Sequence, residues 1–318
     1  MQSLNGGWNF KWSPDPDSRP IDFYKVDFNR KNWKTVPVPS TMERQGYGTP
    51  LYVNTLYPFK VNPPRVMDVP DSSFTNFKSR NPVGSYIRTF NVPDDWRDKQ
   101  VIIHFAGISS AAFVWVNGNK VGYTQGSRLP AEFDITQYLI EGENLLAVEV
   151  YKYCDGSYLE DQDFWRLSGI FRDVFIRAVP KVTLWDVYAQ PIVNLQNKEG
   201  KIALHYSSVN FTKGINKYNS ISVSVLSPTG EALIKDRIYK VEPFPVGFND
   251  EIILPEITIP NIQLWFHENP IQYTVKVALL NKQKVVEVYN LPLGFRKVEV
   301  LGNKIFFNGM LLKIRGGG

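Results

Sequence analysis

The sequence predicts an all-β protein made of two successive β-sandwich domains, and three observations predict it. Apolar residues fall in short alternating runs broken by turn chemistry, and helical periodicity is nearly absent. Aromatic residues reach 14%, with 8 Trp, 16 Tyr and 20 Phe, enough for sandwich cores with a surplus for exposed faces. The length of 318 residues exceeds one ordinary domain and suits two, with room for part of a third.

In chain order, the first clear element is a hairpin. Phe113-Val114-Trp115-Val116 leads into Asn117-Gly118, and Asn119-Lys120-Val121-Gly122-Tyr123 follows. Asn-Gly tolerates the positive φ angles of a type I′ turn, and the apolar flanks supply the paired strands. The first domain is expected over residues 1–179, with a last strand from Asp173 to Arg177 and Val179-Pro180-Lys181 as the link. The second, over 180–293, alternates at Ile202-Leu204-Tyr206, Ile221-Val223-Val225 and Tyr273-Val275-Val277-Leu279. Roughly 110 residues with about seven strands match an immunoglobulin-like sandwich, here without the Cys…Trp…Cys spacing of the disulfide-pinned members. Residues 294–318 open with another hairpin, Ile305-Phe306-Phe307, Asn308-Gly309, Met310-Leu311-Leu312. They then reach Arg315-Gly316-Gly317-Gly318, an apolar strand followed by glycines that closes no core.

Composition excludes several roles. The net charge of +5 comes from 36 basic and 31 acidic residues spread along the chain, which leaves no basic footprint for nucleic acid. No apolar stretch approaches the roughly 20 residues that span a bilayer. Cys154 is the only cysteine, so no intrachain disulfide forms. The start, Met1-Gln2-Ser3-Leu4-Asn5-Gly6, carries no signal pattern, and the compartment stays open between cytoplasm and periplasm.

The densest polar stretch is Asp155-Gly156-Ser157-Tyr158-Leu159-Glu160-Asp161-Gln162-Asp163-Phe164-Trp165-Arg166. Glu160, Asp161 and Asp163 repel one another unless a cation, Arg166, Arg172 or hydroxyl donors compensate. Carboxylates accept charge-assisted hydrogen bonds from sugar hydroxyls, and an adjacent Trp offers an apolar face. A solvated acidic loop, or a bend closed by Asp155-Gly156, explains the same residues. Glu160 and Asp163, three apart on a loop, could meet the carboxyl separation of either a retaining or an inverting glycosidase, but a general acid needs an apolar setting that this polar loop does not provide. His104, His205 and His267 are scattered without ligand spacing. Cys154 lacks a nearby His, and Ser109-Ser110 forms no nucleophile elbow. No glycine-rich phosphate loop is present.

Longer motifs carry a resemblance. They run in order from Ser3-Leu4-Asn5-Gly6-Gly7-Trp8 through Val36-Pro37-Val38-Pro39-Ser40 and Gly46-Tyr47-Gly48-Thr49-Pro50. Tyr57-Pro58-Phe59, Asn62-Pro63-Pro64 and Asn81-Pro82-Val83-Gly84-Ser85-Tyr86 follow. The most specific are Gly122 to Ile135 and the run Tyr158 to Val174. The match weakens over about 182–260 and returns at Leu264-Trp265, Glu268-Asn269-Pro270 and Gly294-Phe295-Arg296. The sequence resembles family 2 glycoside hydrolases, and within them the large bacterial β-galactosidases.

That resemblance implies a jelly-roll sugar-binding domain, an immunoglobulin-like domain and the first strands leading into a TIM barrel, with Lys313-Ile314-Arg315-Gly316 as its first strand. Both catalytic glutamates of the family lie in the barrel, so the chain is expected to hold no catalytic residue and to be inactive alone. It implies that Asn81 and Asp163 contact the galactosyl group and that Asp163 also meets an active-site sodium ion. Asp155 and Gln125 match positions near a peripheral magnesium site. Both ions are expected in the full-length enzyme, with neither held tightly by this chain. The implied partner is a β-galactoside, and relatives are commonly homo-oligomers. Within the same family a β-glucuronidase or β-mannosidase is the alternative, and outside it a free-standing carbohydrate-binding module.

Overall fold

The computed structural model describes residues 1–318 except 55–56, 68–79, 161–162, 217–218, 315 and 317–318. The chain forms two compact units, Met1–Val179 and Pro180–Gly318.

The first unit is an all-antiparallel sandwich. Its larger sheet has six strands in the order Lys34–Val38, Gly6–Ser13, Val83–Asn91, Glu143–Tyr151, Ala111–Val116 and Asn119–Gln125. The smaller has four, in the order Gln2–Ser3, Val174–Val179, Gln100–Phe105 and Ala131–Asp134. Alternate side chains of both sheets meet in one core, where Trp8, Phe10, Ile103, Phe105, Val114, Val148 and Ile176 are almost fully buried. The predicted hairpin is present: Asn117 and Gly118 take φ 50° and 81°, and Val116 faces Asn119 across the turn. Asn117 is fixed further by its side chain, whose Oδ1 accepts from Leu145 N at 2.8 Å while Nδ2 donates to Tyr138 O at 2.8 Å. The last strand runs from Val174 to Val179 rather than from Asp173 to Arg177, because Asp173 caps the strand start by accepting from Asn5 Nδ2 at 2.9 Å.

Alternation breaks in Glu143–Tyr151, where seven consecutive residues are buried. The segment 14–33 folds over the outer face of the large sheet, and Phe23, Tyr24, Phe28 and Trp33 pack there on Ile87, Leu145, Ala147 and Trp115. The strand is thereby covered on both sides.

The second unit contains two four-stranded antiparallel sheets. One joins Val182–Asn194, Glu199–Asn210 and Gly247–Ile253, with Ile257–Ile259 also paired to the central strand. The other runs Ala232–Lys240, Asn219–Leu226, Tyr273–Asn281, Lys284–Leu293. All ten residues of the three predicted alternating runs are buried at 3% exposure or less, as a period of two against one core requires. Among the described residues these two sheets hold eight strands, against about seven expected, with Pro255 between Gly247–Ile253 and the further short strand Ile257–Ile259. A meander of Val298–Leu301, Lys304–Phe307 and Met310–Leu311 follows, turning at Asn308 (φ 50°) and Gly309 (φ 79°). Lys313, Ile314 and Gly316 are not in a strand. Arg315, Gly317 and Gly318, the rest of the expected barrel strand and tail, lie outside the described residues.

Candidate functional site

The polar run 155–166 belongs to a segment of the first unit that is pinned at both ends. Lys152 Nζ lies 2.8 Å from Glu43 Oε1, with both side chains 2% exposed, and also donates to the Thr49 carbonyl at 3.0 Å. Glu43 in turn accepts from Ser168 N at 2.9 Å and Ser168 Oγ at 2.8 Å. Burial holds the Lys152 ammonium below the ordinary lysine pKa, with the Glu43 carboxylate pulling the other way. The residues between these anchors are presented outward.

Asp163 is exposed and accepts a hydrogen bond from the Tyr52 hydroxyl. The local cause is a two-stranded ribbon, Phe164–Arg166 against Leu51–Val53, whose register sets Trp165 directly opposite Tyr52. Their rings lie 5.7 Å apart, and each is about half exposed. The bond to Asp163 lifts the Tyr52 pKa above its usual value, as expected of a phenol that donates to a carboxylate. The result is an oriented carboxylate beside two open aromatic faces. It can accept hydroxyl hydrogen bonds while a ring covers the apolar side of a pyranose. Tyr52 was not legible in the sequence, since a three-residue strand of Leu, Tyr and Val gives no chemical signal.

The rest of the acidic run is committed differently. Glu160 accepts from Ser127 N at 2.7 Å and from Ser127 Oγ at 2.5 Å, fastening the 126–129 loop instead of facing solvent. Asp161 and Gln162 lie outside the described residues. Behind the ribbon, the Arg128 guanidinium sits between the rings of Phe164 and Phe171, at 5.3 and 5.0 Å, and Arg166 stands 4.5 Å over Phe164. A cavity of 540 Å³ opens there, lined among others by Phe59, Ser109, Ser127, Tyr153, Glu160 and Phe164.

Asn81 is buried in a left-handed conformation (φ 52°) that Asn tolerates. Its Oδ1 accepts from Tyr153 N at 2.8 Å and its Nδ2 donates to Tyr153 O at 3.0 Å. The amide thus mimics a neighbouring strand and anchors the start of the polar segment. Among the described residues no hydrogen bond joins Asn81 to Asp163.

Gln125 lies beside Gly156, the residue after Asp155, since a Cβ built on Gly156 would lie 3.9 Å from Gln125 Cδ. Asp155 Oδ1 accepts from Gly156 N at 2.9 Å, and Gln125 Oε1 accepts from Tyr123 Oη at 2.7 Å. Oxygen donors suit a hard cation, but such ions take about six. Among the described residues no group of three or more His, Cys, Asp or Glu gathers. These residues alone do not fit a resident magnesium ion, and the single carboxylate of Asp163 does not by itself make a sodium site. The histidines stay apart: His104 stacks on Phe175 and bonds Glu132, while His205 and His267 lie beside Glu251 and Glu268. Cys154 is buried, and burial pushes its thiol pKa up, away from nucleophilic use.

The comparisons with known proteins agree with this architecture. Residues 1–180 match the family model described as the sugar binding domain of glycosyl hydrolases family 2, and residues 182–296 match a second glycosyl hydrolases family 2 model. A β-galactosidase large subunit from Lactobacillus acidophilus is 37% identical over 324 residues, which is 99% of this chain and 49% of that protein. A β-galactosidase from Vibrio vulnificus is 39% identical, across 99% of this chain and 29% of its own length. The chain therefore spans half or less of the length of these curated relatives. Among solved structures, a Bacteroides uniformis β-glucuronidase superposes on 99% of the chain and 34% of its own, with a TM-score of 0.77 at 20% identity. At that identity the likeness bears on the fold alone. With both sandwiches matched, the chain belongs to glycosyl hydrolases family 2.

Proposed function

We propose that the chain is the N-terminal, non-catalytic part of a retaining β-galactosidase, and that Asp163 orients the galactosyl group at a site whose acid/base and nucleophile lie outside these 318 residues. The observation that carries this reading is the state of the carboxylates along the polar run. Asp163 alone of the described ones is both exposed and oriented by a side chain from another segment, the Tyr52 hydroxyl. Glu160 and Glu43 are closed by Ser127 and by Lys152 with Ser168. Glycoside hydrolysis needs two free carboxyl groups flanking the scissile bond, and Glu160 and Glu43 are already engaged within the fold. Asn81 then acts from beneath, holding Tyr153 and the root of the segment in place.

Relatives named β-galactosidases at 35–39% identity favour a galactoside, and an exposed carboxylate at 163 disfavours an anionic glucuronide by like-charge repulsion. The test is an assay of the parent enzyme, carrying this chain with its catalytic part, on aryl β-galactoside, β-glucuronide and β-mannoside. Galactoside turnover is expected to dominate. Asp163→Asn, which removes a charge-assisted acceptor of about 1.5–3 kcal/mol, should lower kcat/KM roughly tenfold to a hundredfold. Preference for the glucuronide, or an Asp163→Asn enzyme with wild-type kcat/KM, overturns the reading.

A further inference from the structure

From the open face of the six-stranded sheet we infer a second saccharide-binding site, separate from Asp163 and selective for neutral pyranosides. Cross-strand register creates it. Glu149, Phe113 and Tyr123 stand in one row across three strands, and Tyr151, Ala111 and Gln125 in the row two residues along. The small Ala111 leaves a dip between Tyr151 on one side and Gln125 on the other, with Phe113 and Tyr123 along its edge. The groove measures 470 Å³ and has Ala111, Tyr153 and Cys154 among its lining residues.

Three features mark this groove as a ligand surface. First, the rings are fixed before any ligand arrives. Phe113 and Tyr123 lie 4.8 Å apart, and Phe113 and Tyr151 6.1 Å apart. Tyr123 Oη donates to Gln125 Oε1 at 2.7 Å, and Tyr151 Oη donates to Glu149 Oε1 at 2.6 Å. Binding would therefore order little. Second, the same sheet face is covered next door, where Tyr24 stacks flat on Trp115 at 5.0 Å and 5°. Trp115 is two residues along from Phe113 on the same strand, yet Tyr123 beside Phe113 is 44% exposed. Third, the rim carries both signs. Lys120 Nζ stands 4.3 Å over Phe113, and the Glu149 carboxylate, in the same row as Phe113, has both oxygens engaged by Tyr151 and Arg19. A groove of aromatic faces and tyrosine hydroxyls, with Gln125 opposite Ala111 in register at its margin, suits a neutral ring with hydroxyls at its edge and C–H groups on its face.

The test titrates the 318-residue chain with lactose and, separately, glucuronic acid, following tyrosine ring signals by NMR with fluorotyrosine. Lactose should give a saturable shift at Tyr123 and Tyr151, with a Kd of about 1 mM, and glucuronic acid a weaker one. Tyr123→Ala should weaken lactose about tenfold, equal to about 1.4 kcal/mol. Tyr123→Phe keeps the ring and should bind within a few-fold of wild type, which separates loss of the face from loss of fold. Asp163→Asn should leave the groove signals unchanged, so failure of the galactosidase reading and failure of this one are distinguishable. The inference is overturned by absence of saturable shifts at the groove, by binding that survives Tyr123→Ala, by stronger binding of glucuronic acid, or by a dimer through this face that Tyr123→Ala dissolves.

Discussion

Lys152→Met tests how the polar segment is held. In the native chain the Lys152 ammonium bonds Glu43 and Thr49, and Glu43 also receives both donors of Ser168. Both charges are 2% exposed, so neither is solvated when its partner is removed. Breaking one side of such a pair costs about 3–5 kcal/mol. In a unit of 179 residues each kcal/mol moves Tm by about 2–4 °C, so Lys152→Met should lower the first unit's midpoint by roughly 6–20 °C. Glu43→Met combined with Lys152→Met removes both charges and should recover a large part of the loss. Recovery is incomplete because Thr49 O and the Ser168 donors then lack partners, at about 1–3 kcal/mol each if unsatisfied. Calorimetry of the chain gives the readout. The exposed pair Arg97–Glu141, at 67% and 88% side-chain exposure, is the control, worth about 0–1 kcal/mol. A Lys152→Met midpoint no lower than that of Arg97→Ala would refute the argument.

Three further outcomes follow from other parts of the structure. Asn117→Ala should destabilise the first unit by about 2–4 kcal/mol in chemical denaturation, since it strains a φ of 50° and removes the bonds to Leu145 and Tyr138. Gly200→Ala places a Cβ 2.5 Å from the Phe295 ring in the core of the second unit and should cost about 1–3 kcal/mol there, measured in the same way. Alkaline pH should unfold the chain: burial raises the pKa of Tyr86 and Tyr153 and pushes those of Tyr123 and Tyr206 up to about 12. Their contribution is complete below the ordinary tyrosine value of 10.0 and is lost as pH rises through the folded values. Phenolate absorbance should accordingly lag behind that of free tyrosine and then jump with unfolding.

Strands and hairpins were legible in the sequence because they rest on local rules. Alternation at Ile221-Val223-Val225 and the Asn-Gly pairs at 117–118 and 308–309 have one physical solution each, and the structure adopts it. The aromatic lid of Phe23, Tyr24, Phe28 and Trp33 was not legible, since nothing local says that an irregular segment will cover a distant strand. The polar run showed chemistry without assignment. Charge alone could not tell that Glu160 would close on Ser127, 33 positions away, while Asp163 would meet Tyr52, 111 positions away. The three-residue ribbon that makes the second meeting possible carries no sequence signal of its own. The same holds for the groove on the large sheet, where a depression exists only because Ala111 falls between Tyr151 and Gln125 in register.

The central claim is that this chain orients a galactosyl group without supplying the groups that cleave it. Incubating the purified 318-residue chain with a chromogenic aryl β-galactoside tests it most directly. The account predicts no release of the aryl group above the buffer rate. Turnover that is abolished by Asp163→Asn would contradict it, because the catalytic carboxylates would then lie within this chain.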